Sequence, residues 1–423
     1  MATVHSPLDN ITYEDLYRRW ELGNWRATEI DFTCDAEQWQ SEFSDFERKA
    51  AIWNYSLFYW GEDAVADGLS PYIDAAPTEE QRYFLTTQQV DEARHAVFFN
   101  RFMHEVAGIG DGHVASGLAE IQPQLTWGYN KIFDRLVTMS DELRRDRSIP
   151  KLAAAITLYH MIIEASMAQP GQHFITSYLS DRDVLPGFRE GMENVAADEQ
   201  RHIGFGVKFL SDLRQMDPDV PYAVAELLRE VIPWTAGVLV PPDWDMRYVE
   251  CFGFTYADLG EEGAHSLETK MRSAGMPIDE LPGPAVFPAG GTPRERAERG
   301  YRMVRAGYIG EKNGPPSKDS DDMRVLFESV AGSLMSRRAH EPGTIQWSFP
   351  DADPWHIVVA NGDTQAAPGR ADGARVTLEA RFEDFVDVVA RRQDPRRLMV
   401  RRRLRPSGDL RWLWRSRGMF PNA

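Results

Sequence analysis

Cysteine is nearly absent: Cys34 and Cys251 are the only two in 423 residues. Two thiols so far apart suggest neither a disulfide framework nor a cysteine-rich zinc site. No uninterrupted apolar run is long enough to cross a bilayer, so no membrane span is expected. The first residues lack the basic-then-apolar pattern of a secretion signal, and a reducing, cytoplasmic setting is the expectation. Basic charge is in short supply too, with a formal net charge of −18. It is also unevenly placed: eleven arginines stand between Arg391 and Arg417 against Asp394 and Asp409, a local balance of +9 that leaves −27 on the rest. Such a run can meet an anionic partner, a membrane surface or nucleic acid. The turns and core-like Leu and Trp within it favour arginines on the solvent face of a strand or helix. No nucleic-acid partner is expected.

What is present is ordinary for a soluble globular chain, with 43% apolar and 26% charged residues. The length exceeds what one core usually supports, so two domains are expected. Residues 35–210 read as long helices. Phe43, Phe46, Ala50, Trp53, Leu57 and Trp60 recur at steps of three and four. Thr78-x-x-Gln81 resembles a capping box opening a helix to about Ala107. Further helices are expected at about 115–145, from Lys151 to about Pro170 or slightly beyond, and at 188–213. Near residue 283 the character changes to Pro/Gly-rich linker around one short basic amphipathic stretch. Beyond residue 321 a helix, strands at Thr344–Phe349, Trp355–Val359 and Arg375–Ala380, a turn at Ala360–Asp363 and a helix at Phe382–Ala390 read as α+β. The expected division is 1–282, linker 283–320, and 321–423.

Two Glu-x-x-His motifs stand on different helices, Glu92 with His95 and Glu199 with His202. At this spacing a carboxylate and an imidazole leave one helix face and can grip one ion. Glu62 and Glu164 each precede a motif, by 30 and 35 residues, in apolar surroundings where a charge must be paired or metal-bound. One Glu from each of two helices and Glu-x-x-His from each of two others is the dinuclear carboxylate pattern of a ferritin-like helical bundle. Hard oxygen donors with one imidazole per ion suit iron or manganese. Asp91 and Asp198 are expected to hydrogen-bond the ligating histidines, each across the pseudo-twofold to the other half. His160 and His173 flank Glu164 but are expected to fall off its face, as core residues or as residues that support the ligands from behind.

On these residues the chain resembles ribonucleotide reductase small subunits, which share the ligand order Glu or Asp, Glu-x-x-His, Glu, Glu-x-x-His. Their radical tyrosine position is Phe99 here, and their docking tail is replaced by a whole domain. A closer resemblance, over about residues 10–280, is to the ligand-binding oxidases. It is carried by Arg18-Arg19-Trp20, Glu29-Ile30-Asp31-Phe32, Gly61-Glu62-Asp63-Ala64-Val65, Asp91 to His95, Tyr159 to Glu164 and Asp198 to His202. That resemblance implies a Mn/Fe or Fe/Fe pair, dioxygen as oxidant, a long-chain fatty acid held at the metals, and an ether cross-link joining Val65 and Tyr159. It also implies a homodimer and an electron donor. Residues 321–423 resemble the sterol carrier protein type 2 fold. The carrying stretches are Trp355 to Gly362, Val376-Thr377-Leu378, Glu383-Asp384-Phe385 and Asp409 to Phe420, with Arg391 or Arg392 where that family has glycine.

The fold class expected is therefore mainly α, a ferritin-like bundle plus an α+β sterol-carrier-like domain. The function expected is oxidation of an apolar acyl or lipid-like ligand by two metals held by Glu62, Glu92, His95, Glu164, Glu199 and His202, with Glu92 and Glu199 bridging. A diiron hydroxylase or N-oxygenase of a biosynthetic pathway is the second reading. A lipid carrier with a vestigial metal site is the third.

Overall fold

The computed structural model describes residues 11–286, 291–312, 314–335, 337, 339–360 and 362–420. Linker residues 287–290 and Asn361 of the expected turn lie outside them, as do the first ten residues. The chain forms two compact units, Met1–Ala297 and Glu298–Ala423. The division falls inside the stretch read as linker, part of which, Pro293–Arg305, is helical.

Every regular element among the described residues of the first unit is a helix. Helix α1 (Asp45–Gly68) starts at Ser44, whose hydroxyl accepts from the Glu47 amide while Glu47 returns to the Ser44 amide. Helix α2 (Glu79–Glu105) opens on the same device at Thr78 and Gln81. Both bury a long apolar stripe, including Ala50, Trp53 and Leu57 on α1 and Phe84, Phe98 and Phe102 on α2. The helix expected at 115–145 is instead two, Val114–Ile121 and Trp127–Arg145. Pro123, in the 3₁₀ turn between them, lacks the amide that would continue the ladder.

The next stretch departs furthest from expectation. Ile149–Ile156 is α-helical, Thr157–Ala168 is π-helical, and the α register resumes over Gln169–Arg182. Pro170 does not end the helix, because it sits in the first turn of the resumed register, where a missing amide interrupts nothing. Helix α3 (Pro186–Met216) completes the bundle. Gly187 and Phe188 at its start donate their amides to the buried carboxylate of Asp35, 152 and 153 residues earlier.

The second unit has helix α4 (Ser320–Ser333) and five strands: β1 (Gly343–Ser348), β2 (Trp355–Ala360), β3 (Asp363–Pro368), β4 (Val376–Ala380) and β5 (Leu404–Gly408). The sheet order is β3-β2-β1-β4-β5, with β1 and β4 parallel and the other neighbours antiparallel. Helix α5 (Phe382–Val389) lies between β4 and β5 in the chain. The core is aromatic: Phe327 of α4 stacks on Trp355 and on Phe385, each at 4.9 Å. Around β5, Leu398, Leu404 and Trp412 are buried while Arg396, Arg397, Arg401, Arg402, Arg405 and Arg411 are exposed. Strand β3 was not expected. Its sequence, Asp-Thr-Gln-Ala-Ala-Pro, carries no alternating apolar set because it is an edge strand with no buried position.

Candidate metal centre

Four elements supply the site. Glu62 comes from α1, Glu92 and His95 from α2, Glu164 from the π-helical segment, and Glu199 and His202 from α3. All six are buried. They fall into two overlapping groups with donor atoms within 4.8 Å of one another: Glu62, Glu92, His95 and Glu199, then Glu92, Glu164, Glu199 and His202. Glu92 and Glu199 belong to both.

Both imidazoles point Nδ1 inward. His95 Nδ1 lies 3.1 Å from Glu62 Oε2 and 3.6 Å from Glu92 Oε2, and His202 Nδ1 lies 3.3 Å from Glu92 Oε1 and 3.7 Å from Glu164 Oε1. Their Nε2 atoms point outward to aspartates of the opposite half, His95 to Asp198 Oδ2 at 3.1 Å and His202 to Asp91 Oδ2 at 3.0 Å. A carboxylate can only accept, so Nε2 carries hydrogen and each Nδ1 of a neutral ring is left as a lone pair facing the carboxylates.

Four carboxylates in one desolvated pocket cannot all be ionised without compensating charge. Burial pushes Glu62 up to about 8 and raises Glu164 and Glu199. Glu92 moves the other way: burial raises it, but the two histidines hold it well below the usual range. Glu164 Oε2, Glu199 Oε2 and His202 Nδ1 are buried without a hydrogen-bond partner. Two divalent cations would neutralise four carboxylates and take up these orphaned atoms, so the donor set fits a pair of hard or borderline ions.

A layer that the sequence reading missed surrounds the histidines. Arg201 Nη2 donates to Asp91 Oδ2 at 2.5 Å and to Asp198 Oδ1 at 2.9 Å, and Arg94 Nη2 donates to Asp91 and, at 2.9 Å, to Asp198 Oδ2. Trp20 Nε1 reaches Asp91 and Trp25 Nε1 reaches Asp198, both at 2.9 Å. The arginines had a visible signal, since both motifs read Glu-x-Arg-His. Trp20 stands in the Arg18-Arg19-Trp20 stretch but nothing local points to a partner 71 residues away, and Trp25, 173 residues from its partner, had no signal beyond its type.

Tyr159 is buried and donates its phenol to Glu92 Oε1 at 2.9 Å. The π-helical register explains its reach: residues five apart are about 140° apart around an α-helix, whereas i→i+5 bonding brings Tyr159 and Glu164 toward one face. His160 is buried and supports the ligands from behind, as expected: it meets Gln88 Oε1 at 3.1 Å, and Gln88 Nε2 donates to Glu164 Oε1 at 2.7 Å and Glu92 Oε1 at 3.2 Å. His173 corrects its expectation, being exposed and so neither a core residue nor a support of the ligands. Val65 is buried in the same apolar cluster as Tyr159. Phe99 is buried and stacks on Phe58 at 5.9 Å. A small apolar cleft of about 30 Å³ is lined by Tyr55, Phe174, Ile175, Tyr178, Phe252 and Phe254 among others, none of them a candidate ligand.

A helical bundle converging two Glu-x-x-His motifs and two further glutamates defines a ferritin-like carboxylate–histidine protein. Residues 3–233 match the family model described as ribonucleotide reductase, small chain, and the chain belongs to that family. Residues 331–419 match the SCP-2 sterol transfer family. Among solved structures, a single-substitution variant of an R2-like ligand-binding oxidase with anaerobically reconstituted Mn/Fe cofactor matches at 23% identity and TM-score 0.54, over 62% of this chain and 93% of its own. A second variant of that oxidase, with a non-activated Mn/Mn cofactor, matches with the same values. At that identity the likeness establishes the shared bundle fold.

Proposed function

We propose that the bundle is an oxygen-activating dinuclear metal oxidase. The observation that carries this reading is the sharing of Glu92 and Glu199 between the two donor groups. Glu62, Glu92 and His95 would hold one ion and Glu164, Glu199 and His202 the other, with Glu92 and Glu199 between them. Mn/Fe and Fe/Fe both suit the donors, and the R2-like oxidase neighbours are described with Mn/Fe or Mn/Mn cofactors. Such a pair, when bound and reduced, supplies a two-electron oxidant from dioxygen.

The protein's own part is positioning and protection. Asp91 and Asp198 hold the imidazoles with Nδ1 inward, and Arg94 and Arg201 each bind both aspartates and fix them in place. Burial, with the neighbouring Glu92 carboxylate, raises Tyr159 far above an ordinary phenol, so it meets the site protonated and donating. The apolar walls keep water from an oxidising centre.

Val65 and Tyr159 are the pair this reading assigns to oxidation. Joining the Val65 side chain to the Tyr159 oxygen removes one C–H and one O–H hydrogen, and the two electrons and two protons pass to dioxygen. The substrate class proposed is an apolar acyl or lipid-like molecule, with the second unit as its carrier and an external electron donor completing turnover. A homodimer also belongs to this reading, supported by Tyr83, Val90 and Val97, exposed at seven-residue intervals along α2.

The test is peptide mass spectrometry on protein loaded aerobically with iron and manganese. A joined pair of Val65 and Tyr159 peptides, two hydrogens lighter than their sum, is expected. Its absence with both metals bound would sink the cross-link and favour a substrate hydroxylase. Failure to consume oxygen at all would leave the carrier.

A further inference from the structure

The six candidate ligands are arranged with twofold likeness, three on each side, so the ligands themselves give no reason for two unlike ions to choose different places. Any choice must come from what surrounds them, and there the two halves differ. Gln88 stands four residues before Glu92, and the residue four before Glu199 is Val195. His160 stands four before Glu164, and the residue four before Glu62 is Phe58. Tyr159 stands five before Glu164, and the residue five before Glu62 is Leu57. All six are buried.

Every extra donor therefore goes to Glu164 or to the Glu92 oxygen that faces His202. The Gln88 amide donates to Glu164 Oε1 at 2.7 Å and to Glu92 Oε1 at 3.2 Å, and the Tyr159 phenol donates to that same Glu92 oxygen at 2.9 Å. Among the described residues no side-chain amide or hydroxyl donates to Glu62 or Glu199. The amide's orientation is not free either. His160 Nε2 stands 3.1 Å from Gln88 Oε1, which can only accept, so the NH₂ end is turned to the two carboxylates. The consequence is electrostatic. Glu164 has one oxygen occupied by a hydrogen bond and only Oε2 without a protein partner, and Glu92 presents a doubly hydrogen-bonded oxygen toward His202. The Glu164/His202 position offers its ion oxygens of lower charge density than the Glu62/His95 position does.

We propose that Gln88, its amide turned by His160, is the specificity-determining residue that makes the two ion positions unequal and directs unlike divalent ions to them. This rests on the dinuclear reading above. The experiment loads the full-length protein anaerobically with equal manganese(II) and iron(II) and reads the metal at each position by anomalous diffraction at both absorption edges. In the parent the Mn:Fe ratio at one position is expected to exceed that at the other by about tenfold, the ratio one hydrogen bond to a charged group can supply. In Gln88→Met, which keeps the volume and removes both donors, the two ratios are expected to converge. Gln88→Asn withdraws the amide by one methylene and serves if the first variant does not fold; convergence is expected there too. Parent-like ratios in the folded variant, or equal ratios in the parent, would overturn the proposal. A parent that binds neither ion would instead overturn the dinuclear reading, which separates the two failures.

Discussion

Tyr159 Oη donates to Glu92 Oε1 across 2.9 Å, joining a residue of the π-helical segment to a carboxylate shared by both donor groups. The phenol thus stands one hydrogen bond from the centre and has no route to solvent.

Tyr159→Phe keeps the ring and removes that bond. Glu92 Oε1 still receives Gln88, so the expected loss of stability is small, about 1 kcal/mol, and ions should still bind. The light, joined peptide should vanish. Calorimetry and mass spectrometry on the same sample check both statements.

Ion binding should release protons. Burial holds Glu62 near 8, so at pH 7 its folded form is largely protonated, and a metal must displace that proton. Affinity is therefore expected to rise from pH 6 to pH 8, and the raised Glu164, Glu199, His95 and His202 add to the protons that the ions must displace. Titration calorimetry in buffers of different ionisation enthalpy measures the protons released. A value of zero at pH 7 contradicts the assignment.

Asp198→Asn leaves the shape but weakens the hold on His95, because the imidazole loses its charged partner. A drop of about 10- to 100-fold in affinity is expected for one of two ions. Competition with a chromophoric chelator should then show one weakened and one unchanged site.

Arg201→Met removes one of the two guanidiniums that stand between Asp91 and Asp198. Two buried carboxylates left with Arg94 alone should cost about 3 kcal/mol. Chemical denaturation would show it, with the unfolding slope unchanged.

In the second unit Arg391 adopts a left-handed backbone at φ 59°, just after α5 ends. The amide of Arg392 donates to the Asp387 carbonyl there, as at a helix C-terminus closed by glycine. Arg391→Gly relieves the Cβ strain and should stabilise the unit by about 0.5–1 kcal/mol in thermal unfolding.

Much of this protein is legible in its amino-acid sequence. The i, i+3 spacing of Glu92 with His95 and of Glu199 with His202 is a property of the helix itself, and so is the step-three-and-four burial of Ala50, Trp53 and Leu57. Ser and Thr before Glu or Gln open helices by bonds that span three residues. Such features follow from local backbone geometry, and the sequence determined them alone. Tertiary structure decided the rest. The pairing of Asp91 with His202 and of Asp198 with His95 was expected from the twofold order of the motifs, but it takes the packing of α2 and α3 to bring together residues more than 100 apart. Trp20 and Trp25 reach those aspartates from an N-terminal segment with no local mark of the role. The π-helical turn was illegible in Thr157–Ala168 because it is settled by packing, as every residue from Thr157 to Ala165 is buried. Edge strand β3 escaped notice for the opposite reason, having little burial to pattern it. Gln88 and His160 show the division most sharply. Gln88 carried no mark in the sequence and His160 only its place beside Glu164, and only the arrangement of the helical segments brings Gln88 against Glu164 and Glu92 and His160 against Gln88.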